Sequence, residues 1–199
     1  MTVLAVAASV ALIAGCNGEN PGKPSTGQPA SSPAGSGLPR AGAPKVATPL
    51  KTTALETNAC DAASESEVNS TGVTLKTAEP QDIAGGKGCL WIFTNTSGTV
   101  TGNLNVSQPD GLSHLYALKA QGSGVTTFQP VADIAGYPAV VYANGGEGPG
   151  VCTLAIGVRD DMMYVLTTQL FSGSPKYNDA CGLLTKFGEF AVQHLKAAQ

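Results

Sequence analysis

The chain has 199 residues, of which only 13% are charged, and its formal net charge at pH 7 is -3. This length suits one domain with appended segments. So small a charge argues against a nucleic-acid partner, which would need a basic surface to neutralise phosphates. It also argues against a polybasic contact with a membrane surface.

The chain opens with a short run of apolar and small residues that ends at a cysteine. Residues 2–15 are too few to span a bilayer as a permanent helix, but their length is typical of a signal-peptide core. The ending Ile13-Ala14-Gly15-Cys16 resembles the bacterial lipobox, in which a branched apolar residue and two small residues precede an invariant cysteine. The resemblance implies that residues 1–15 are a lipoprotein signal peptide cleaved before Cys16. It also implies that acyl chains, palmitate among them, are attached to Cys16.

The predicted signal peptide lacks the basic residues with which such peptides normally begin. We therefore expect translation to start upstream of Met1. The alternative, a short buried helix with an incidental cysteine, is disfavoured because a polar, proline-rich stretch follows. Two or three acyl chains on Cys16 would anchor the protein stably. The predicted location is the outer face of the cytoplasmic membrane, in the cell envelope.

Residues 16–50 are dominated by Pro, Gly, Ser and Ala, with almost nothing to bury. Such a composition cannot offset the entropy lost on ordering. We predict a lipidated Cys16 followed by a flexible tether through residue 50, and one globular domain over 51–199.

Hydrophobic periodicity predicts the elements of this domain in chain order. A helix over 58–68 comes first, Glu79 and Asp82 lie in a loop, and the turn-rich residues 85–88 lead into a strand. Asp110 is predicted to cap the second helix, and Asp160-Asp161 to form the turn of a hairpin. The predicted strands are 89–94, 101–107, 125–130, 137–143, 151–159 and 162–170, and the later helices are 112–121 and 179–198.

Helices at both ends of a series of hairpin-linked strands indicate an α+β fold. We predict an antiparallel sheet of about five to six strands, with the N-terminal and C-terminal helices packed on one face.

Four cysteines lie in the domain, at Cys60, Cys89, Cys152 and Cys181. An even number without a C-x-x-C pair fits an oxidised, extracytoplasmic protein with two disulfides better than a zinc site. If cysteines that are neighbours in sequence pair, Cys60 bonds to Cys89 and Cys152 bonds to Cys181. Each bond would then link a predicted helix to a predicted strand. Four cysteines allow three connectivities, and the other two stay open.

The sequence around these cysteines resembles the DUF3558 family of actinobacterial surface lipoproteins. Cys89-Leu90-Trp91 is similar to the C-x-W that follows the first helix of the family, and residues 131–139 (VADIAGYPA) to its entry into a strand. A third cysteine in the following strand and a fourth at the last helix complete the order over roughly 58–195. The usual Asp-Pro-Cys opening stands here as Asn58-Ala59-Cys60. The resemblance implies paired cysteines and a surface lipoprotein, and it implies no activity.

The remaining polar residues form no recognised catalytic or metal-binding pattern. His114 and His194 lie on separate predicted helices, without HxxxH, HExxH or a His-carboxylate spacing. There is no G-x-S-x-G nucleophile elbow, and residues 85–88 lack the spacing of a P-loop. We therefore assign no catalytic residue, no metal ligand and no cofactor. The glycine-rich loops 85–88 and 144–150 could line a binding surface.

The leading hypothesis is a non-enzymatic binding or accessory module of the cell envelope, held to the membrane through Cys16. Its partner would be a small molecule, an envelope component or a membrane protein, and its ligand-binding residues are unassigned. One alternative is an extracytoplasmic hydrolase with an unrecognised site. Another is an accessory subunit of a transporter or sensor.

Overall fold

The computed structural model of the protein describes residues 37–199. The predicted signal peptide, Cys16 and residues 17–36 of the predicted tether lie outside the described residues. No helix within 37–199 is long and apolar enough to cross a bilayer.

Within residues 37–199, seven strands form one sheet in the order β1-β2-β3-β7-β6-β5-β4. Every pair of neighbouring strands is antiparallel. Two meanders, β1 to β3 and β4 to β7, are therefore joined where β3 pairs with β7. The α+β fold with an antiparallel sheet is confirmed. The sheet has one strand more than the five to six that the sequence predicts. The strands are β1 (Leu75–Ile83), β2 (Gly86–Phe93), β3 (Gly98–Asn105), β4 (Thr127–Ile134), β5 (Tyr137–Ala143), β6 (Val151–Arg159) and β7 (Met162–Leu170).

The additional strand is β1, which sequence analysis predicted to be a loop. It pairs only with β2 and stands at the edge of the sheet. Glu79 and Asp82 therefore lie on a strand, and part of the predicted turn over 85–88 belongs to β2. Proline and charged residues are tolerated at sheet edges, and Pro80 lies between these two carboxylates. An edge strand of this composition lacks the apolar alternation that marks a half-buried strand.

In the described part of the chain, four α-helices accompany the sheet: α1 (Thr53–Thr57), α2 (Glu65–Ser70), α3 (Leu112–Ala120) and α4 (Ala180–Ala197). The prediction of one helix over 58–68 is wrong, since a 3₁₀ segment (Ala59–Ala62) separates α1 from α2. The physical reason is a capping box at Ser64. The Ser64 hydroxyl accepts a hydrogen bond from the Glu67 N–H, and the Glu67 carboxylate accepts one from the Ser64 N–H. This arrangement starts a new helix at that point.

The main hydrophobic core lies between one face of the sheet and α4, together with the N-terminal helices. Leu184, Phe187, Ala191 and Leu195 of α4 are all buried, as their helical spacing predicts. Trp91 of β2 is fully buried, and its indole ring lies edge-on to Phe187 with 5.3 Å between ring centroids. The Trp91 Nε1–H donates to the Ala63 carbonyl, so the polar end of this side chain is satisfied within the core.

Helix α3 covers part of the opposite face of the sheet. Leu112 and Leu115 pack there in a second, smaller cluster with Met163 and Val165 of β7. The predicted cap at Asp110 is wrong. No side chain within residues 37–199 caps the first turn of α3, and the Asp110 carboxylate instead forms an ion pair with Arg40.

Residues 37–50, assigned to the tether by composition, pack against the domain. Val46 and Leu50 are each 3% exposed and belong to the main core. The Val46 N–H donates to Asp160 Oδ1 over 2.8 Å, and the Leu50 N–H donates to the Val158 carbonyl over 3.0 Å. The packed domain therefore begins before residue 51. We call the end of the sheet that carries the β6–β7 turn, where this segment joins, the proximal end, and the end that carries the β5–β6 loop the distal end.

Candidate functional site

Two disulfides join all four cysteines of the domain. Cys60 of the 3₁₀ segment is bonded to Cys89 of β2, and Cys152 of β6 is bonded to Cys181 in the first turn of α4. Each bond closes a sequence separation of 29 residues. The nearest-neighbour pairing is therefore confirmed among the three connectivities.

A cleft opens at the distal end because two neighbouring strands diverge. Strand β5 pairs with β6 only from Ala139↔Ile156 to Val141↔Leu154. Strand β5 nevertheless continues to pair with β4 through Ala143, and β6 continues to pair with β7 through Val151. The gap has a volume of about 250 Å³, and we call it the split cleft. It is lined by Thr127, Val141, Tyr142, Ala143, Asn144, Gly145, Glu147, Val151, Cys152, Thr153 and Cys181.

A single charged side chain, Glu147, stands among the described residues that line the split cleft. Its Oε1 accepts hydrogen bonds from the hydroxyls of Thr126 and Thr127, the second over 3.0 Å. These hydrogen bonds hold the pKa of the Glu147 carboxyl below its usual value, and the bond from Thr126 has the largest effect. At the end of β5, which also lines the cleft, burial raises the pKa of the Tyr142 phenol. The cleft therefore combines a fixed anion with a mainly uncharged lining.

The loop that carries Glu147 is fastened to β4 and β5 through Thr126. The Thr126 N–H donates to the Ala143 carbonyl over 2.8 Å, and the Gly145 N–H donates to the Thr126 hydroxyl over 2.9 Å. The same hydroxyl bonds to Glu147. Thr126 therefore connects the end of β5 to the loop and positions the carboxylate at the cleft.

A second and larger cleft, of about 420 Å³, lies at the proximal end between α1 and the β1–β2 hairpin. We call it the hairpin cleft. Its charged side chains carry both signs, since Glu56, Asp82 and Lys87 all line it. Asp82 and Lys87 are cross-strand partners, and Glu56 Oε1 accepts from the Thr52 hydroxyl over 2.6 Å. Its remaining lining is Ile83, Gly86, Leu104 and Val106.

The two histidines do not converge. His114 lies on α3 and His194 on α4, and these helices pack on opposite faces of the sheet. Neither residue lines the split cleft or the hairpin cleft. Within residues 37–199, no group of three or more His, Cys, Asp or Glu side chains is placed to hold a metal ion.

Both glycine-rich loops singled out in the sequence contribute to clefts. Gly86 and Lys87 line the hairpin cleft, and Asn144, Gly145 and Glu147 line the split cleft. Sequence analysis missed Glu147 and Glu56 as site residues. No local pattern could have revealed either one, because each becomes part of a cleft through contacts with residues distant along the chain.

Comparison with known proteins gives one match. The model of a family described as "protein of unknown function (DUF3558)" matches residues 11–194, which include the whole sheet and most of α4. No curated protein and no solved structure matches the chain.

Proposed function

We propose that this chain, which belongs to the DUF3558 family, is a membrane-anchored extracytoplasmic lipoprotein that serves as a non-enzymatic binding or accessory module of the cell envelope. The observation that carries the proposal is the pairing of all four domain cysteines in disulfides. Disulfides form and persist in oxidising compartments outside the cytoplasm. The two disulfides of the folded domain therefore support the proposal that the protein is exported from the cytoplasm.

The N-terminal sequence supplies the proposed anchor. Ile13-Ala14-Gly15-Cys16 has the lipobox pattern, and the family match begins at residue 11 and so includes Cys16. Acyl chains on the thiol and on the new amino group would give the two or more chains that stable anchoring requires. The first partner in this proposal is thus the membrane itself, at the outer face of the cytoplasmic membrane.

The position of the split cleft supports a binding role. Residues 37–50 join the domain at the proximal end of β6, whereas the cleft opens at the distal end of the same strand. A strand of nine residues spans about 30 Å. A ligand or partner would therefore meet the cleft at the end of the domain away from the N-terminal segment that leads to Cys16.

The chemistry of the split cleft also favours binding. Its lining offers hydroxyls, one amide side chain and one carboxylate around apolar walls, which is the usual make-up of a ligand pocket. Neither histidine is positioned to act as a base there. An accessory role toward a membrane protein would use the same distal end.

The proposal is tested by mass spectrometry of native protein taken from the envelope, together with fractionation of two variants. We expect acyl groups on an N-terminal Cys16 and both disulfides intact. Cys16→Ala is expected to leave an unprocessed or unlipidated precursor that is no longer retained in the membrane fraction as the lipidated protein is. Asn17→Ala, the adjacent substitution, is the control and should be processed and retained normally. Normal processing and unchanged retention of Cys16→Ala would overturn the anchor.

A further inference from the structure

We propose that the split cleft binds a small organic cation, an ammonium group carried on a short apolar skeleton, with Glu147 as the residue that recognises the charge. This inference names a ligand class for the binding module proposed above and rests on that proposal. It concerns residues of the distal end only, so it can be tested separately from the anchor.

The shape of the cleft defines the size of the ligand. Its volume of about 250 Å³ lies just below the range of about 300–1,000 Å³ that is typical of sites for drug-sized ligands. Its two walls are the end of β5, at Tyr142 and Ala143, and the start of β6, at Val151 and Cys152. A compact molecule with a few carbon atoms fits this space, and a folded partner does not.

The walls of the cleft favour an apolar skeleton. Val141, Val151 and Ala143 present aliphatic surface, and Val151 is 40% exposed. Burying such surface against the carbon atoms of a ligand removes both from water and favours binding. An inorganic cation would gain nothing from these residues.

The charge of the cleft selects a cation. Glu147 is the single charged residue of the described lining, and no Lys, Arg or His of residues 37–199 lies in that lining. A carboxylate ligand would therefore meet like charge without a compensating base. An ammonium group would form a charge-assisted hydrogen bond with Glu147, which is stronger than one between neutral groups.

The carboxylate is already held in place before a ligand arrives. The Thr126 and Thr127 hydroxyls both donate to Glu147 Oε1, and Thr126 also accepts from the Gly145 N–H. On the other side of the cleft, the Cys152–Cys181 bond fixes the first turn of α4 to β6. Both walls are therefore organised in advance, which lowers the entropy lost on binding.

The test is an amide NMR titration of the full chain, solubilised in detergent, with three probes of the same carbon skeleton. We expect n-butylammonium to shift the resonances of Ala143, Val151 and Thr153, with an affinity that falls as salt is raised. Neutral n-butanol should bind at least tenfold more weakly, and butyrate should leave these resonances unshifted. Glu147→Gln should weaken n-butylammonium binding about tenfold or more. Glu79→Gln, which neutralises an exposed carboxylate on β1, is the matched control and should bind like the unchanged protein.

Ala143→Leu provides a second test, since its larger side chain would occupy the cleft while leaving Glu147 in place. We expect it to abolish the shifts while the melting temperature stays close to that of the unchanged chain. Equal binding of n-butylammonium, n-butanol and butyrate would overturn the proposal. So would equal losses in Glu147→Gln and Glu79→Gln, or the absence of any shift at the cleft. Each of these failures would leave the processing and membrane retention of the protein unchanged, so a failed ligand proposal is distinguishable from a failed anchor.

Discussion

The two disulfides of this domain close loops of equal length in unequal surroundings. Cys60 is half-buried and its partner Cys89 is fully buried, whereas Cys152 is buried and its partner Cys181 is exposed at the distal end. Each bond spans 29 residues, so each restricts the unfolded chain to the same degree, worth about 3.5 kcal/mol in the chain-entropy model. Any difference between them in the folded protein therefore arises from packing and solvent access. The comparison separates what a cross-link does to the unfolded state from what it does to the native one.

The largest effect is expected from removing the Cys60–Cys89 bond, whose Cys89 is fully buried. A Cys60→Ala/Cys89→Ala variant loses the constraint on the unfolded chain and also leaves unfilled space beside the fully buried Trp91. We expect the free energy of unfolding to fall by about 4–5 kcal/mol. Urea denaturation followed by Trp91 fluorescence measures this change. A loss no larger than that of the Cys152→Ala/Cys181→Ala variant would show that packing around the first bond adds nothing.

A smaller loss is expected from removing the Cys152–Cys181 bond. In Cys152→Ala/Cys181→Ala the constraint of the same loop length is lost and the buried Cys152 sulfur is removed, but the exposed Cys181 side chain leaves no cavity. We expect a decrease of about 3.5 kcal/mol in the same denaturation experiment. The near-ultraviolet circular dichroism of Trp91 should stay native, because that ring packs on Phe187 and its strand β2 is separated from β6, which carries Cys152, by β3 and β7. An altered spectrum would show that the distal bond organises the main core.

The smallest effect is a difference in the rate of reduction. Thiol–disulfide exchange requires access of the attacking thiolate to a sulfur atom. We expect Cys152–Cys181 to be reduced about tenfold faster than Cys60–Cys89, since Cys181 is exposed and Cys89 is fully buried. Brief treatment with dithiothreitol, alkylation and peptide mapping by mass spectrometry measure the two rates. In denaturant the rates should become equal, and equal rates in the native protein would contradict the role assigned to burial.

The elements that could be predicted are those with a strong local pattern. Strands β5, β6 and β7 have the bounds that periodicity predicts, and α4 differs by one residue at each end. Their apolar side chains recur at the period of the element because one side packs on the core. The first helical region was mispredicted, although Ser64 and Glu67 carry the capping-box spacing that marks the start of α2.

The candidate site could be predicted from local sequence patterns to a much smaller extent than these elements. The divergence of β5 from β6 is a property of register, which is set by pairing between strands and not by either strand alone. Glu147 becomes part of the cleft because Thr126 and Thr127 hold it from about 20 residues earlier in the chain. Nothing in the sequence of the loop distinguishes this carboxylate from a solvated one.

The sequence by itself determined the class of fold, the strong elements and the number of cysteines available for pairing, because composition and periodicity report local burial. It also carries the lipobox-like ending at Cys16 on which the proposed anchor rests. Only the tertiary structure decided that β3 lies beside β7, that residues 37–50 pack on the domain, and that Cys89 is fully buried whereas Cys181 is exposed. The physical reason is that these features arise from contacts between residues far apart in sequence, and such contacts leave no repeat in the chain.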